Sequence, residues 1–232
     1  MKVLENKPMY FMGDNHGEYN YMFEIIKHHE LKDCYFIHVG DGGEGFLETT
    51  KQLRQFAYLN EFFQARNIHY MSIRGNHSDP FYFKDENKVI LSNFELIEDY
   101  TVMEYNGKII QFIGGAISID RTARVEGMSY WPDESVILDR NKCQKVDVLV
   151  THTAPSWCHP QKFNGIVYDW SLRDAYLLKE LTNERAIMDE IFKICQPSLH
   201  LYGHFHSSWS EEVNGCKHRL LDINEIWEYR FE

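Results

Sequence analysis

An apolar run ends abruptly in a polar turn at residues 9–17, which read MYFMGDNHG. Two more apolar runs end in the same way, at residues 34–44 (CYFIHVGDGGE) and 68–77 (IHYMSIRGNH). Between them, residues 20–31 and 47–66 carry apolar side chains at helical spacing. The order strand, helix, strand, helix, strand predicts an α/β sheet that holds its polar turns at the strand ends.

The second half of the chain adds strands joined by hairpins. Strands are predicted at 94–102, 101–105, 108–113, 146–150 and 199–202, with type I′ turn signals at Asn106-Gly107 and Asn214-Gly215. Ser171 with Asp174 forms a capping pattern that predicts a helix to about Cys195, interrupted near Thr182. Residues 118–145 lack a period and are predicted as an ordered loop. Helices early and hairpins late indicate a four-layer α-β-β-α sandwich of two mixed sheets, in one domain over 1–232.

Composition sets the broad class of the protein. The 232 residues are 44% hydrophobic, which is ample for a core, and carry a net charge of −11. Such an acidic chain is not expected to bind nucleic-acid backbones broadly, because that binding needs Lys and Arg. The five cysteines show no CxxC spacing, and no run of about 18 apolar residues could span a membrane. We therefore expect a cytoplasmic protein with reduced thiols and no membrane association.

Two further polar turns follow the late strands, at residues 151–153 (THT) and 203–206 (GHFH). Together the five turns offer carboxylates, imidazoles and an amide, which suit Mn, Fe, Zn or Ni. Each turn alone is weak evidence, but five in this order at strand ends predict a site for two metal ions. A glycine precedes a ligand-type residue in four of them, which permits positive φ and close backbone approach; these are Gly13, Gly40, Gly75 and Gly203.

The five turns resemble those of the calcineurin-like metallophosphoesterase superfamily, from residue 9 to about 223. The resemblance implies the same four-layer fold and a centre of two divalent cations, of which we expect Mn²⁺, with Fe, Zn or Ni as alternatives. It implies that Asp41 bridges the two metals. The other implied ligands are Asp14, His16 and His206 for the first metal, and Asn76, His152 and His204 for the second.

The resemblance also implies how the phosphate ester is handled. His77 is then the general acid for the leaving oxygen, or a cation that stabilises the transition state. Glu44 matches a position where the family often has an Asp that orients this histidine, with one methylene more; Asp79 is the competing carboxylate. Arg74 is expected to grip a phosphate oxygen, although a surface arginine at a strand end is an equal alternative.

Other side chains are candidates for contacts with the substrate. Asn15 and Asn76 are expected to touch the phosphate. Several residues are candidates for walls of the substrate site, although each one singly fits a loop anchor or a core aromatic better: Tyr19, Arg121, Arg124, Trp131, Tyr168 and Arg173.

The predicted reaction is hydrolysis of phosphate mono- or diesters by a metal-activated hydroxide. A phosphoprotein (Ser/Thr) phosphatase is the alternative, because residues 74–77 (RGNH) match that group, whereas Gly45 replaces its arginine in the second motif. Residues 151–155 (THTAP) are similar to the broader group of calcineurin-like phosphoesterases. A metal-binding interaction module predicts missing ligands, and a nuclease subunit predicts basic grooves; the sequence has neither feature.

Overall fold

Two β-sheets and four α-helices are formed by residues 1–230, the part of the chain that this computed structural model describes. In chain order the elements are β1 (Lys2–Leu4), β2 (Met9–Met12), α1 (Tyr19–His28), β3 (Tyr35–His38), α2 (Thr49–Gln64), β4 (His69–Ser72), β5 (Phe94–Leu96), β6 (Thr101–Tyr105), β7 (Lys108–Ile113), β8 (Val148–Thr151), α3 (Gly165–Ser171), α4 (Leu177–Cys195), β9 (Leu199–Tyr202), β10 (Trp209–Val213), β11 (Cys216–Leu220) and β12 (Ile226–Tyr229). Short 3₁₀ helices cover Pro80–Phe83, Asp85–Asn87 and Arg121–Ala123.

The smaller sheet has five strands in the order β12-β2-β3-β4-β5. Strands β2 to β5 run parallel, and β12 pairs antiparallel with β2. Apolar side chains of α1 and α2, among them Met22 and Phe63, cover one face of this sheet and pack with Phe36, Tyr70 and Phe94. The fully buried face explains why these short strands read as continuous apolar runs.

The larger sheet has seven strands in the order β1-β6-β7-β8-β9-β11-β10. Its centre, β7 to β9, is parallel, and β11 is parallel to β9. The hairpins β6–β7 and β10–β11 are antiparallel. Helix α4 packs on the outer face through Met188, Ile191 and Phe192 against Leu149.

The main core lies between the two sheets. Phe11, Ile37 and Met71 of the smaller sheet pack there with Phe112 and Val150 of the larger one. The layers are therefore helices α1 and α2, the smaller sheet, the larger sheet and helix α4, which confirms the predicted four-layer α-β-β-α sandwich. Among the described residues, no helix has the length and apolarity that crossing a membrane requires.

Several local predictions can be compared directly with the structure. Both predicted type I′ turns are present, with positive φ at Asn106, Gly107, Asn214 and Gly215. The predicted strand over 94–102 is shorter and ends at Leu96. The single-domain assignment stays a prediction, and Phe231 and Glu232 lie outside the described residues.

The predicted start of a helix at Ser171 was wrong, whereas its predicted end at about Cys195 is confirmed. Ser171 instead ends α3, where its hydroxyl donates to the carbonyl of Tyr168, and α4 begins only at Leu177. Helix α4 then runs without a break, and the hydroxyl of Thr182 donates to the carbonyl of Leu178 within it.

Candidate metal centre and active site

The turns after β2, β3, β4, β8 and β9 meet at one edge of the sandwich, and they bring the predicted metal ligands together. A first group contains Asp14, His16 and His206. Nε2 of His206 lies 3.2 Å from Oδ2 of Asp14 and 3.0 Å from Nε2 of His16. His206 follows His16 by 190 residues along the chain, and the fold closes that separation.

A second group contains Asp41, His152 and His204, with Asn76 beside them. Nε2 of His152 lies 3.2 Å from Oδ1 of Asp41 and 3.2 Å from Oδ1 of Asn76, and Nδ1 of His204 lies 2.8 Å from the same amide oxygen. Asp41 also groups with His16 and His77. Asp41 therefore lies between the two groups.

The donor set fits divalent cations. Ring nitrogens and carboxylate oxygens make up both groups, the second group adds one amide oxygen, and this mixture suits Mn, Fe, Zn or Ni. Nδ1 of His152 donates to the carbonyl of Val39 at 2.8 Å, which leaves the lone pair of Nε2 directed at the centre. Burial opposes the charging of His152, but Asp41 and Asp14 outweigh it and raise its pKa to about 9. A bound cation would take the place of that proton.

Four of the expected ligands have a backbone that non-glycine residues rarely adopt. The φ angles are 49° at His16, 61° at Asp41, 71° at His204 and 47° at His206. Such left-handed conformations cost roughly 1–3 kcal/mol each and cluster at functional sites. The strain turns each side chain toward the common edge immediately after its strand.

Two glycines allow the close packing around these groups. A Cβ atom added at Gly75 would lie 2.0 Å from Oδ1 of Asp41 and 2.7 Å from Nε2 of His152. One added at Gly203 would lie 2.3 Å from Oδ1 of Asp14. These two positions therefore require glycine, because the ligand side chains approach the backbone too closely for a Cβ atom. Of the four predicted glycines, Gly40 alone has a positive φ, 106°.

Asn76 is held by a chain of hydrogen bonds that the sequence did not reveal. Its Nδ2 donates to the hydroxyl of Ser118 at 3.1 Å, and that hydroxyl donates to Glu134 at 2.7 Å. The backbone N–H of Ser118 donates to the same carboxyl group. This chain fixes the amide so that Oδ1 faces His152 and His204.

His77 lies at the rim of the cluster. Its backbone N–H donates to Oδ1 of Asp41 at 2.7 Å, and its ring packs edge-on against His16 with centroids 4.5 Å apart. The guanidinium of Arg124 contacts both ring nitrogens, at 2.9 and 2.6 Å. Burial lowers the pKa of His77 to about 4, Asp41 opposes that shift and Arg124 adds to it. The imidazole is therefore neutral at pH 7 in this arrangement.

The expected pairing of Glu44 with His77 is not present. Glu44 is fully buried and accepts hydrogen bonds from the hydroxyls of Ser72 and Ser78 instead. Burial raises the pKa of Glu44 to about 7, so it is no strong source of negative charge for a neighbouring imidazole. The competing Asp79 accepts from the backbone N–H of Phe81 and starts a 3₁₀ helix.

The expected phosphate contact of Arg74 also needs correction. Its guanidinium pairs with Asp99 and donates to the carbonyls of Glu134 and Ser135 at 2.6 and 2.9 Å. These contacts occupy the donors of a side chain that is only 4% exposed. Arg74 is therefore neither a phosphate contact nor a surface arginine. It is buried, and its hydrogen bonds hold residues 133–135 in place. Asn15 is 1% exposed and its Nδ2 has no hydrogen-bond partner among the described residues, so the phosphate contact expected of it stays a prediction.

A cavity of about 490 Å³ opens beside the cluster. One side exposes Asp41, Asn76, His77, His204 and His206. The cavity also has an apolar wall, formed by the loop between β7 and β8, the loop before α3, and α3 and α4; it includes Ile119, Phe163, Val167, Trp170 and Leu181. Arg124, Lys162 and Arg185 supply positive charge, and Glu184 lies among them.

The apolar wall was missed in the sequence because amphipathic stretches of α3 and α4 look the same whether they face a core or a cavity. Of the six candidate wall residues, Arg124 lines the cavity. Arg121 pairs with Asp174 and Glu180, and Tyr19 belongs to the core under α1.

Comparison with known proteins agrees with this fold. The family model of calcineurin-like phosphoesterases matches residues 7–208, so the chain belongs to that family. No curated protein sequence matches the chain.

Solved structures with a similar fold come from several organisms. One is a Staphylococcus aureus protein provisionally named a 5′-nucleotidase, in complex with α-ketoglutarate, with 12% identity and a TM-score of 0.52; the match covers 94% of this chain and 49% of that one. Another is the phosphopantetheinyl hydrolase of Mycobacterium tuberculosis, with 12% identity, a TM-score of 0.47 and coverage of 95% and 91%. The chain thus spans about half the length of the first. At this identity the first likeness shows the fold alone.

Proposed function

We propose that the protein is a metal-dependent phosphoesterase with two divalent cations, one in each ligand group and both in contact with Asp41. The observation that carries the proposal is the convergence of seven ligand-type side chains on two adjacent groups that share this carboxylate. Membership of the calcineurin-like phosphoesterase family supports the same reaction. When bound, two such cations supply Lewis acidity and a nucleophile at neutral pH.

Arg124 is the proposed phosphate-binding cation, in place of Arg74. It lines the cavity beside His77 and is paired with Asp120. Arg124 contacts the ring of His77, so an anion between them is needed if both side chains are to carry a positive charge. A phosphate oxygen at this point would accept from the guanidinium in a charge-assisted hydrogen bond.

His77 is the proposed proton donor to the leaving oxygen. The negative charge of a bound phosphate favours the imidazolium, because an opposite charge within about 4–6 Å raises the pKa of a histidine. In the free protein burial and Arg124 hold the ring neutral. Substrate binding would therefore prepare the acid that the reaction uses.

The apolar wall indicates the kind of ester. Phe163, Trp170 and Leu181 line the same cavity as the expected metal ligands, so a leaving group with an apolar or aromatic portion would bury that portion there. Lys162 and Arg185 add positive charge for a second anionic group. The walled shape favours a small ester over the phosphorylated segment of a protein.

Turnover by chelator-stripped protein tests the proposal. Mn²⁺, Ni²⁺, Zn²⁺ or Mg²⁺ would be added back, and hydrolysis of p-nitrophenyl phosphate would be compared with that of bis-p-nitrophenyl phosphate. We expect hydrolysis that depends on the added metal, and the preferred ester separates phosphatase from phosphodiesterase. Absence of turnover on both esters with every metal would contradict the proposal.

A further inference from the structure

A second cluster of ligand-type side chains lies apart from the candidate centre, on the outer face of the larger sheet beneath α4. It consists of Cys158, His200 and His218, which are 0%, 0% and 2% exposed. His200 in β9 and His218 in β11 are direct neighbours in the parallel register. Cys158 comes from the loop that follows β8. Phe192 of α4 packs on both imidazole rings and covers them from solvent.

Two of the distances between the donor atoms are close to those within one coordination shell. Sγ of Cys158 lies 3.3 Å from Nδ1 of His218, and Nδ1 of His200 lies 3.1 Å from the same nitrogen. All three atoms lie within 4.8 Å of one another. Tetrahedral zinc, with bonds of about 2.0–2.1 Å to nitrogen and 2.3 Å to sulfur, places neighbouring donors roughly 3.3–3.6 Å apart.

Hydrogen bonds alone do not satisfy all three donor atoms of this cluster. The hydroxyl of Thr151 donates to the carbonyl of Thr153, so it accepts from Nε2 of His200 at 2.8 Å. A neutral His200 then presents the lone pair of Nδ1 to His218. One proton on Nδ1 of His218 satisfies His200, but it leaves the buried thiol of Cys158 facing a nitrogen that can no longer accept. A cation among the three atoms would satisfy all of them.

The chemistry of the cluster selects a metal of the zinc type. One thiolate and two imidazoles form a nitrogen–sulfur set that suits Zn²⁺. Arg185 donates to the carbonyl of Cys158 at 2.9 Å, which places positive charge near the sulfur. Glu211 lies directly opposite His218 in the β10–β11 register, and its carboxylate accepts from the backbone N–H of His159 at 2.8 Å.

We propose that Cys158, His200 and His218 form a structural zinc site that fastens the loop after β8 to β9 and β11. The same loop continues into Pro160, Lys162 and Phe163, which line the cavity. The zinc would thereby hold one wall of the cavity in place. The proposal does not rest on the proposed function, because none of these three residues belongs to the two ligand groups at the sheet edge.

Cobalt substitution tests the site, since the expected ligands of the candidate centre include no cysteine. Protein loaded with Co²⁺ should show thiolate-to-cobalt charge-transfer absorption, and this band then reports the new site alone. Cys158→Ser should abolish the band and lower the number of bound ions by one per chain. Cys143→Ser is the matched control, because Cys143 is also buried but packs beside α4 in a different cluster. Cys143→Ser should keep both the charge-transfer band and the number of bound ions.

Two outcomes would overturn the proposal: no thiolate band in the wild-type protein, or a band that persists in Cys158→Ser. A measurement on the wild-type chain covers the case in which Cys158→Ser does not fold. X-ray absorption of the zinc-loaded protein should show a sulfur shell at about 2.3 Å. A shell of nitrogen and oxygen scatterers only would mean a triad held by hydrogen bonds without a metal.

Discussion

Asp41 is the residue on which the candidate centre depends most. It is 1% exposed, and its carboxylate lies against His152 and the backbone of His77. Burial alone would raise its pKa, but His152 and His77 outweigh this and hold the pKa well below the usual value. The side chain is therefore an anion positioned between two ligand groups.

Changing Asp41→Asn should lower the amount of bound metal and reduce turnover below detection, because it removes the charge that both cations share. Metal content by elemental analysis and hydrolysis of p-nitrophenyl phosphate are the measurements. Asp85→Asn, at an exposed carboxylate with positive φ, is the matched control and should keep both properties. Near-normal turnover of Asp41→Asn with two ions still bound would refute the assignment.

The two arginines near the site should respond in opposite ways. Arg124→Gln should lower kcat/KM by roughly 10–100-fold, the worth of one charge-assisted hydrogen bond, with little change in Tm. Arg74→Gln should instead cost roughly 3 kcal/mol of stability, because Asp99 and two buried carbonyls lose their partner. Steady-state kinetics and urea unfolding measure the two effects. An Arg74 variant of normal stability that loses substrate affinity would reverse the roles proposed here.

His77→Asn should spare metal binding and cut turnover by roughly 10²–10⁴, the usual contribution of a general acid. The loss should be smaller for p-nitrophenyl esters than for alkyl esters, since p-nitrophenolate leaves without a proton. Rates on a matched pair of aryl and alkyl phosphates measure this difference. Equal losses on both would mean that His77 is not the proton donor.

At the level of secondary-structure elements, the sequence revealed the strands that carry ligands and missed that α3 and α4 shape the cavity. Short, mostly apolar runs that end in Gly-Asp or Gly-His predict buried strands with polar turns, and β2, β3 and β9 have that form. Arg74 and Arg124 offer the same chemistry, and only tertiary packing decides which one faces the cavity. The sequence likewise did not decide the partner of the Glu44 carboxyl group. In the structure it accepts hydrogen bonds from the hydroxyls of Ser72 and Ser78 and does not pair with His77.

Glu95 in β5 links the two sheets through its ion pair with Lys2 of β1. The imidazole of His69, whose Nε2 lies 3.6 Å from Oε2 of Glu95, and the charges of Lys2 and Lys88 lower the pKa of Glu95 to about 2 despite its burial. Because the folded-state pKa lies below the unfolded value of 4.5, the pair stabilises the fold above about pH 4.5. That stabilisation is lost as the pH falls toward 2.

Glu95→Gln should therefore lower the free energy of unfolding at pH 7 by about 1–2 kcal/mol, with allowance for solvent screening. It should also flatten the loss of stability between pH 5 and pH 2. Urea unfolding at pH 7, 5 and 3 measures both effects, and Glu61→Gln on the exposed surface of α2 is the control. Parallel pH profiles for the variant and the wild type would exclude this role.

At the scale of the whole molecule, the candidate centre joins the two sheets. Asp14, Asp41 and Asn76 follow strands of the smaller sheet, whereas His152, His204 and His206 follow strands of the larger one. Cations held by both sets would resist separation of the sheets. Mn²⁺ at a hundred times its dissociation constant should raise the free energy of unfolding by about 2.7 kcal/mol.

This increment should be absent from Asp41→Asn, and excess chelator should remove it from the wild type. Thermal unfolding with and without Mn²⁺ measures it. An equal increment in Asp41→Asn would place the stabilising ion elsewhere in the molecule.

The most direct test of the two-metal centre is anomalous diffraction from crystals of the Mn²⁺-loaded protein. The geometry predicts two peaks at the edge where the sheets meet, roughly 3.5–4 Å apart and on either side of the Asp41 carboxylate. A single peak there, or none while the seven side chains keep their positions, would contradict a two-metal phosphoesterase.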